Sequence, residues 1–347
     1  MKILLITHFF YPNIGGIEIN SELLASEFDK AGEEIRVITW TKEKGDKTFP
    51  YLIVRNPSVI ELFRHHQWAD VILENNPSLR LSWPSIIFKK KHVIALCTWI
   101  HRIDGSLSWQ DKLKFLWLKR ASVVIAVSDE VRKLTWAPAI VIGNPYRNLL
   151  FRTLPDTARQ FEFVFLGRLV SDKGADIAVN AFSKLIKAQT ELKSFFLTII
   201  GDGPDRELLE QTIASLNLVK NVRLVGMLTG EALVNCLNQH RFMLIPSRWK
   251  EPFGNVALEG MACGCVPIVA DGGGLPAAIG DAGLVFKRGD EESLASCMIQ
   301  ILNDADLEDK LRGLAKRHLQ TYEPTIVANS YLRVIRATTI KQSDSKE

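Results

Sequence analysis

The run Pro246-Ser247-Arg248-Trp249-Lys250-Glu251-Pro252-Phe253-Gly254-Asn255-Val256-Ala257-Leu258-Glu259 joins two kinds of periodicity. Before it, Phe242 to Ile245 is a short apolar run that suits a parallel strand buried on both faces. After it, Val256, Leu258 and Met261 open a helical pattern. Strand, loop and helix in this order build doubly wound sheets, which hold ligands at the carboxyl ends of their strands. Gly254 lets a ligand approach the backbone, and Asn255 suits the N-cap. The first N–H groups of the helix then suit an anion such as a diphosphate. Glu251 and Glu259, the latter read as roughly two turns into the helix, would repel that anion and instead suit the hydroxyls of a sugar and a ribose. Diphosphate plus hydroxyls describes a nucleotide sugar. Two solvated glutamates, or two partners of the helix dipole, are the ordinary alternative.

Other strand-to-helix turns carry matching chemistry. Gly167-Arg168-Leu169-Val170-Ser171-Asp172-Lys173-Gly174 offers a guanidinium fork and a point charge to phosphate oxygens, although surface cations in loops are usually just solvated. Gly15 and Gly16, after the loop from His8 to Ile14, let backbone N–H groups reach a phosphate or simply make a flexible turn. They do not form the GxGxxG fingerprint of dinucleotide binders, which disfavours an NAD dehydrogenase. Gly201-Asp202-Gly203-Pro204 is a further turn of this kind, with Pro204 suited to the first helical position. Val225-Gly226-Met227-Leu228 ends another strand. His101 follows an apolar strand, where a lone His is commonly structural; His8 is a weaker competitor.

The whole chain agrees with this reading. Its 347 residues suit two domains, and 47% hydrophobic with 24% charged residues is ordinary for a soluble globular protein. Alternating strands and helices predict two Rossmann-like domains, at 1–148 and 161–324. A turn-rich linker is expected at 149–160, a last helix at 325–338 that can return to the first domain, and a disordered polar tail at 339–347. Met1-Lys2 runs straight into a strand that polar Thr7-His8 ends early, so neither a signal peptide nor a membrane span is expected. Five cysteines lack metal-like pairing, and Cys263 and Cys265 are read as small buried residues in a reducing compartment.

Charge is unevenly shared. Through Leu150 there are 20 Lys and Arg against 15 Asp and Glu, and after it 23 against 24. The imbalance fits contact with an anionic membrane surface as well as it fits an ordinary solvated one. Nucleic acid is disfavoured, since no binding motif accompanies the charge. Gln110 to Arg120 mixes Lys and Arg with Leu, Phe and Trp, as interfacial membrane helices do, and as do helices with one core face and one basic face; the core-facing reading is preferred.

Seven residues separate Glu251 from Glu259, as in the EX7E element of retaining glycosyltransferases. The sequence over 251–264 resembles family 4 of those enzymes (glycosyl transferases group 1), and 167–174 resembles the family's Gly-Arg…Lys-Gly loop. The resemblance implies an α/β GT-B architecture, two Rossmann-like domains facing across a cleft. It implies transfer of a sugar from a nucleoside diphosphate to an acceptor hydroxyl with retention, attack coming from the face the diphosphate leaves. Arg168 and Lys173 would hold the diphosphate and stabilise its developing charge, Glu251 would bind donor-sugar hydroxyls, and Glu259 the ribose. Phe253, Gly254, Asn255 and Val256 would meet phosphate and sugar through backbone, Gly226 and Met227 the base, Gly15 and Gly16 the diphosphate and acceptor, and His101 the transferred sugar.

By the same resemblance no metal and no cofactor is expected beyond the nucleotide-sugar co-substrate. The expected acceptor is a saccharide or lipid-linked saccharide, in surface polysaccharide or glycolipid assembly. The expected location is cytoplasmic, at the inner face of the membrane if membrane-associated. The chain departs from the family at Ala277, where many relatives carry Glu, at Asn144-Pro145 in place of Asn-Gly, and in the Thr98-Trp99-Ile100-His101-Arg102 context. Two rivals follow: a sugar-nucleotide epimerase of the same fold, and a non-catalytic nucleotide-sugar-binding protein.

Overall fold

The structure, a computed structural model, describes residues 1–100, 106–188 and 195–340. The chain divides into two compact units, Met1–Pro145 with the stretch from Tyr322, and Tyr146–Thr321.

The first unit holds β1 (Lys2–Thr7), β2 (Glu34–Thr39), β3 (Leu52–Arg55), β4 (Val71–Asn75), β5 (Lys91–Leu96), β6 (Val123–Ala126) and β7 (Ile140–Val141). They form one parallel sheet in the order β3-β2-β1-β4-β5-β6-β7. The helices between them are α1 (Gly16–Lys30), α2 (Val59–Trp68), α3 (Leu79–Ser82), α4 (Ser85–Phe88), α5 (Trp109–Leu118) and α6 (Asp129–Thr135). The unbroken apolar run of β1 is explained by its place inside the sheet, between β2 and β4. Ile3 and Leu5 point into one core, Leu4 and Ile6 into another, and all four are fully buried.

The second unit holds β8 (Phe161–Leu166), β9 (Leu197–Ile200), β10 (Val222–Gly226), β11 (His240–Ile245), β12 (Val266–Ala270) and β13 (Leu284–Phe286). These are again parallel, in the order β10-β9-β8-β11-β12-β13. Its α-helices are α7 (Ala175–Ala188), α8 (Arg206–Ser215), α9 (Gly230–Asn238), α10 (Asn255–Ala262), α11 (Leu275–Ile279), α12 (Glu291–Asn303) and α13 (Ala305–Gln320). The strand order reverses between β8 and β11, so the loops leaving these two strands flank the switch point.

The last helix, α14 (Pro324–Ile340), belongs to the first unit. Ala328, Tyr331, Leu332 and Ile335 recur at helical spacing and enter the same core as Leu24 and Phe28 of α1. Thr325 Oγ1 donates to Glu27 at 2.7 Å and Arg336 Nη2 to Glu33 at 2.6 Å.

Several details differ from the sequence reading. Leu149 to Gln160 lies in the second unit, and the division falls at Pro145/Tyr146. The Leu154 N–H donates to Asn238 Oδ1 at 2.8 Å, and Arg159 donates to the carbonyls of His240 and Cys263 at 2.6 and 2.7 Å, so this irregular stretch is bonded into the unit. Helix α8 starts at Arg206, which leaves Pro204 outside it. Gly254, not Asn255, is the N-cap of α10. Glu259, as its fifth residue, stands little more than one turn in. Cys263 and Cys265 are buried free thiols, and burial pushes both up to about 12. The polar residues 341–347 lie outside the described residues.

Candidate functional site

Four turns of the second unit meet at the carboxyl ends of its strands, and glycine makes the close contacts. Gly174 ends the β8 loop at φ +72°, where a Cβ would stand 2.1 Å from the Pro246 carbonyl oxygen at the end of β11. Gly201 lies so close to Gly167 that a Cβ would overlap its carbonyl oxygen, and the Gly201 N–H donates to the Gly226 carbonyl at 2.8 Å. The Gly274 N–H donates to the Glu251 carbonyl at 2.7 Å, pinning the β12 loop beneath the β11 loop. No side chain fits in these crossings, which fixes where the loops' charged residues emerge.

The β8 and β11 loops bring Lys173 and Glu251 together. Lys173 Nζ donates to Glu251 Oε1 at 2.5 Å, and Ser247 Oγ donates to the same oxygen at 3.0 Å. The Lys173 ammonium also lies 5.8 Å from the Trp249 ring centroid. The Arg248 and Trp249 N–H groups donate to the Asp172 carbonyl at 2.8 and 3.2 Å, and the Arg248 guanidinium pairs with Asp176. Arg168 extends from the same loop as Lys173; it is exposed and, among the described residues, its guanidinium has no hydrogen-bond or ion-pair partner. The site thus offers one free cation beside one paired cation.

Glu259 has a different partner, Arg147. The Glu259 side chain is only 14% exposed, and Oε1 accepts from Arg147 Nη2 at 2.9 Å and from Nε at 3.3 Å. Burial raises its carboxyl above the usual range, and Arg147 only partly opposes this. Phe253 is buried, and Gly254 takes φ +127° with Leu275 Cδ2 2.7 Å from where a Cβ would be. Asn255 and Val256 open α10 with no side-chain cap on the helix. Gly226 ends β10 and Met227 follows it, Met227 being among the most exposed apolar residues.

Gly15 and Gly16 lie in the first unit, where Gly15 caps α1 in an extended conformation. The Glu18 carboxylate folds against it, 2.3 Å from the place of a Gly15 Cβ, so an anionic group already faces this turn. Burial, helped by Arg80, holds His8 below the usual imidazole range. His101 lies outside the described residues.

The sequence reading missed Arg147, Ser247 and Trp249. The last two stand inside the quoted run, but Arg147, 112 residues from Glu259, lies just after Asn144-Pro145, which drew notice only as a departure from Asn-Gly.

Comparison with known proteins relates the chain to glycosyltransferases. Residues 149–318 match the family model described as Glycosyl transferases group 1. The chain is 26% identical over 348 residues, 94% of this chain and 96% of the relative, to the lipopolysaccharide core biosynthesis glycosyltransferase LpsD of Rhizobium meliloti (strain 1021). It is 31% identical over 186 residues, 52% of this chain and 44% of the relative, to a D-inositol 3-phosphate glycosyltransferase of Jonesia denitrificans. Among solved structures, Anabaena Alr3699/HepE in complex with UDP superposes with a TM-score of 0.80 at 19% identity, covering 97% of this chain and 100% of that one. The same protein in complex with UDP-glucose gives 0.77 with the same identity and coverage. The fold is GT-B.

Proposed function

From a chain that carries a glycosyl transferases group 1 domain on a GT-B fold, we propose a retaining glycosyltransferase that moves a sugar from a nucleoside diphosphate to an acceptor hydroxyl. The observation that carries the reading is the 2.5 Å contact between Lys173 and Glu251. A nucleotide sugar has its hydroxyl-bearing ring bonded directly to its diphosphate. A cation for the phosphate and a carboxylate for the hydroxyls must therefore be neighbours, and these two are.

In this reading the diphosphate lies on Arg168, Lys173 and the start of α10, with the positive side chains in the place of a divalent ion. Glu251 accepts from donor-sugar hydroxyls and Glu259, steadied by Arg147, from the ribose. Gly226 and Met227 line the base. As the bond to the anomeric carbon breaks, negative charge grows on the departing phosphate oxygen beside Arg168 and Lys173. The acceptor hydroxyl attacks from that same face and passes its proton to the leaving oxygen, so no carboxylate nucleophile is needed. Protein groups supply position and charge. UDP and UDP-glucose in Alr3699/HepE support a nucleotide-sugar donor, and the lipopolysaccharide role of the Rhizobium relative supports a saccharide or lipid-linked acceptor.

The outward face of α5 suits work at an anionic membrane surface. Trp109, Leu113 and Leu116 are 69%, 42% and 57% exposed at helical spacing, and exposed Lys112, Lys119 and Arg120 accompany them. Trp117, Leu118 and Asp111 face inward, so one helix has both a core face and an apolar, basic outer face. No helix of the described residues is long and apolar enough to cross a membrane.

The test is a thermal-shift screen of UDP, GDP and ADP sugars, followed by product analysis with and without a saccharide acceptor. Acceptor-dependent release of the nucleoside diphosphate with the anomeric configuration kept is expected. A new nucleotide sugar formed without acceptor would identify an epimerase, and binding without turnover a non-catalytic binder.

A further inference from the structure

The free edge of the first unit's sheet carries positive charge that the fold does not neutralise with ion pairs among the described residues. Arg36 on β2 and Arg55 on β3 are half-buried, Arg64 on α2 is exposed, and among the described residues none of the three forms an ion pair. Arg36 Nη1 donates to His65 Nδ1 at 3.0 Å, with its guanidinium carbon 3.9 Å from the Trp68 ring centroid. Arg55 reaches only the Thr41 carbonyl, at 3.5 Å. Glu34 acts on Arg36 and Glu43 on Arg55 only from beyond ion-pair distance and less strongly than burial, so drawing these guanidinium groups partly out of water costs stability that a bound anion would offset.

A groove of about 540 Å³ opens beside β3 and α2, lined by Lys44, Lys47, Arg55, Arg64 and His65, with Phe49 on its wall. Two of its charged groups are already engaged. Lys47 pairs with Glu22 at 2.7 Å, and Glu61 Oε2 accepts from the Ser58 N–H and Oγ, each at 2.8 Å, in the cap of α2. Lys44 and Arg64 form no hydrogen bond or ion pair among the described residues, and Arg64 acts on Glu61 only through longer-range charge. Because Arg36 donates to Nδ1, that atom is the acceptor of a neutral His65, whose remaining N–H sits on Nε2 as a further donor. The groove is thus an array of donors around an open space, with its one acid turned to other work.

We propose that this groove binds the phosphate or carboxylate group of an acidic saccharide, with Arg55, Arg64, Lys44 and His65 as donors. That the carrier is a saccharide rests on the function proposed above; that the group is an anion does not. The site belongs to the first unit alone and is distinct from the diphosphate loops of the second.

Calorimetric titration of the full chain with glucose 6-phosphate, glucuronate and uncharged glucose tests this, run on wild type, K44E/R64E and R168A/K173A. Both K44E/R64E positions are exposed, so an unchanged circular dichroism spectrum is expected. At least one anionic sugar should bind wild type, lose about tenfold or more in affinity in K44E/R64E, and keep its affinity in R168A/K173A. Equal binding of glucose, full affinity in K44E/R64E, loss only in R168A/K173A, or no anion binding at all would each overturn the proposal. The donor-transfer assay on wild type reports the proposed function separately.

Discussion

Arg147 closes on Glu259: the guanidinium donates twice to one oxygen of a carboxylate that burial holds above its usual range. If Glu259 must be ionised to accept ribose hydroxyls, donor affinity should fall as pH drops through that raised value. Removing Arg147 should move the fall to higher pH, because the group that opposes burial is gone. Glu259→Ala should weaken donor binding by roughly 10- to 100-fold, the worth of hydrogen bonds to a charged group. Calorimetric Kd values for the donor between pH 5 and 8 decide it; an R147A profile that stays put or shifts to lower pH would sink the assignment.

Arg168→Ala and Lys173→Ala should act mainly on turnover, each lowering kcat by about 10²–10³ with a smaller effect on donor Kd. Steady-state kinetics with the donor found in the screen measure this. Unchanged kcat in both variants would remove the diphosphate role.

Gly174→Ala should destabilise the second unit and cripple transfer together. The substitution strains a backbone at φ +72° and pushes a methyl into the Pro246 carbonyl, costing at least about 1–3 kcal/mol. It also shifts the loop that places Lys173. A wild-type Tm in G174A would show that this crossing is looser than described.

Acid should destabilise the protein from about pH 6.5 downward. Burial lowers both His66 and His240 to about 4; His240 bonds to the Cys236 carbonyl and Thr198 Oγ1 at 2.7 and 2.8 Å. As pH falls through about 6.5 the unfolded chain gains protons that the folded one refuses until about 4, so stability drops across that window. Each buried histidine accounts for on the order of 3 kcal/mol at the acid end. Denaturant unfolding from pH 7 to 4 should show the loss, and His240→Gln should flatten it; an equally steep loss in H240Q would contradict this.

The outer face of α5 should bind vesicles that contain anionic lipid and ignore neutral ones. Charge reversal at Lys112 and Lys119 should lower the partition coefficient by about fivefold or more per site, and Trp109→Ala should lower it further. Co-sedimentation reads both effects. Equal binding to neutral and anionic vesicles would exclude the electrostatic contribution.

What could be read from the sequence depended on how local the signal was. The strand-loop-helix at 242–262 carries its own periodicity and turn residues, so its elements and the switch-point loops were visible. Strand β3 has only four residues, between Tyr51 and Asn56-Pro57, and as an edge strand it lacks the long apolar run of its neighbours. Helix α2 was missed although Ser58 and Glu61 spell a capping box, because its two histidines and Arg64 blur the apolar stripe. Arg147 could not be assigned at all: its role exists only once β8 to α10 are folded beneath it, and no spacing rule links residues so far apart.

The placement of α14 bears on how the chain matures. The core around Ile3, Leu5 and Phe28 is closed by Tyr331 and Ile335, so that half is completed only by a helix made after the whole of residues 146–321. Residues 146–321 form one contiguous stretch and can fold while α14 is still being made, reversing the usual amino-terminal-first order. Until α14 arrives, an apolar seam of the early half stays open to solvent and to chaperones.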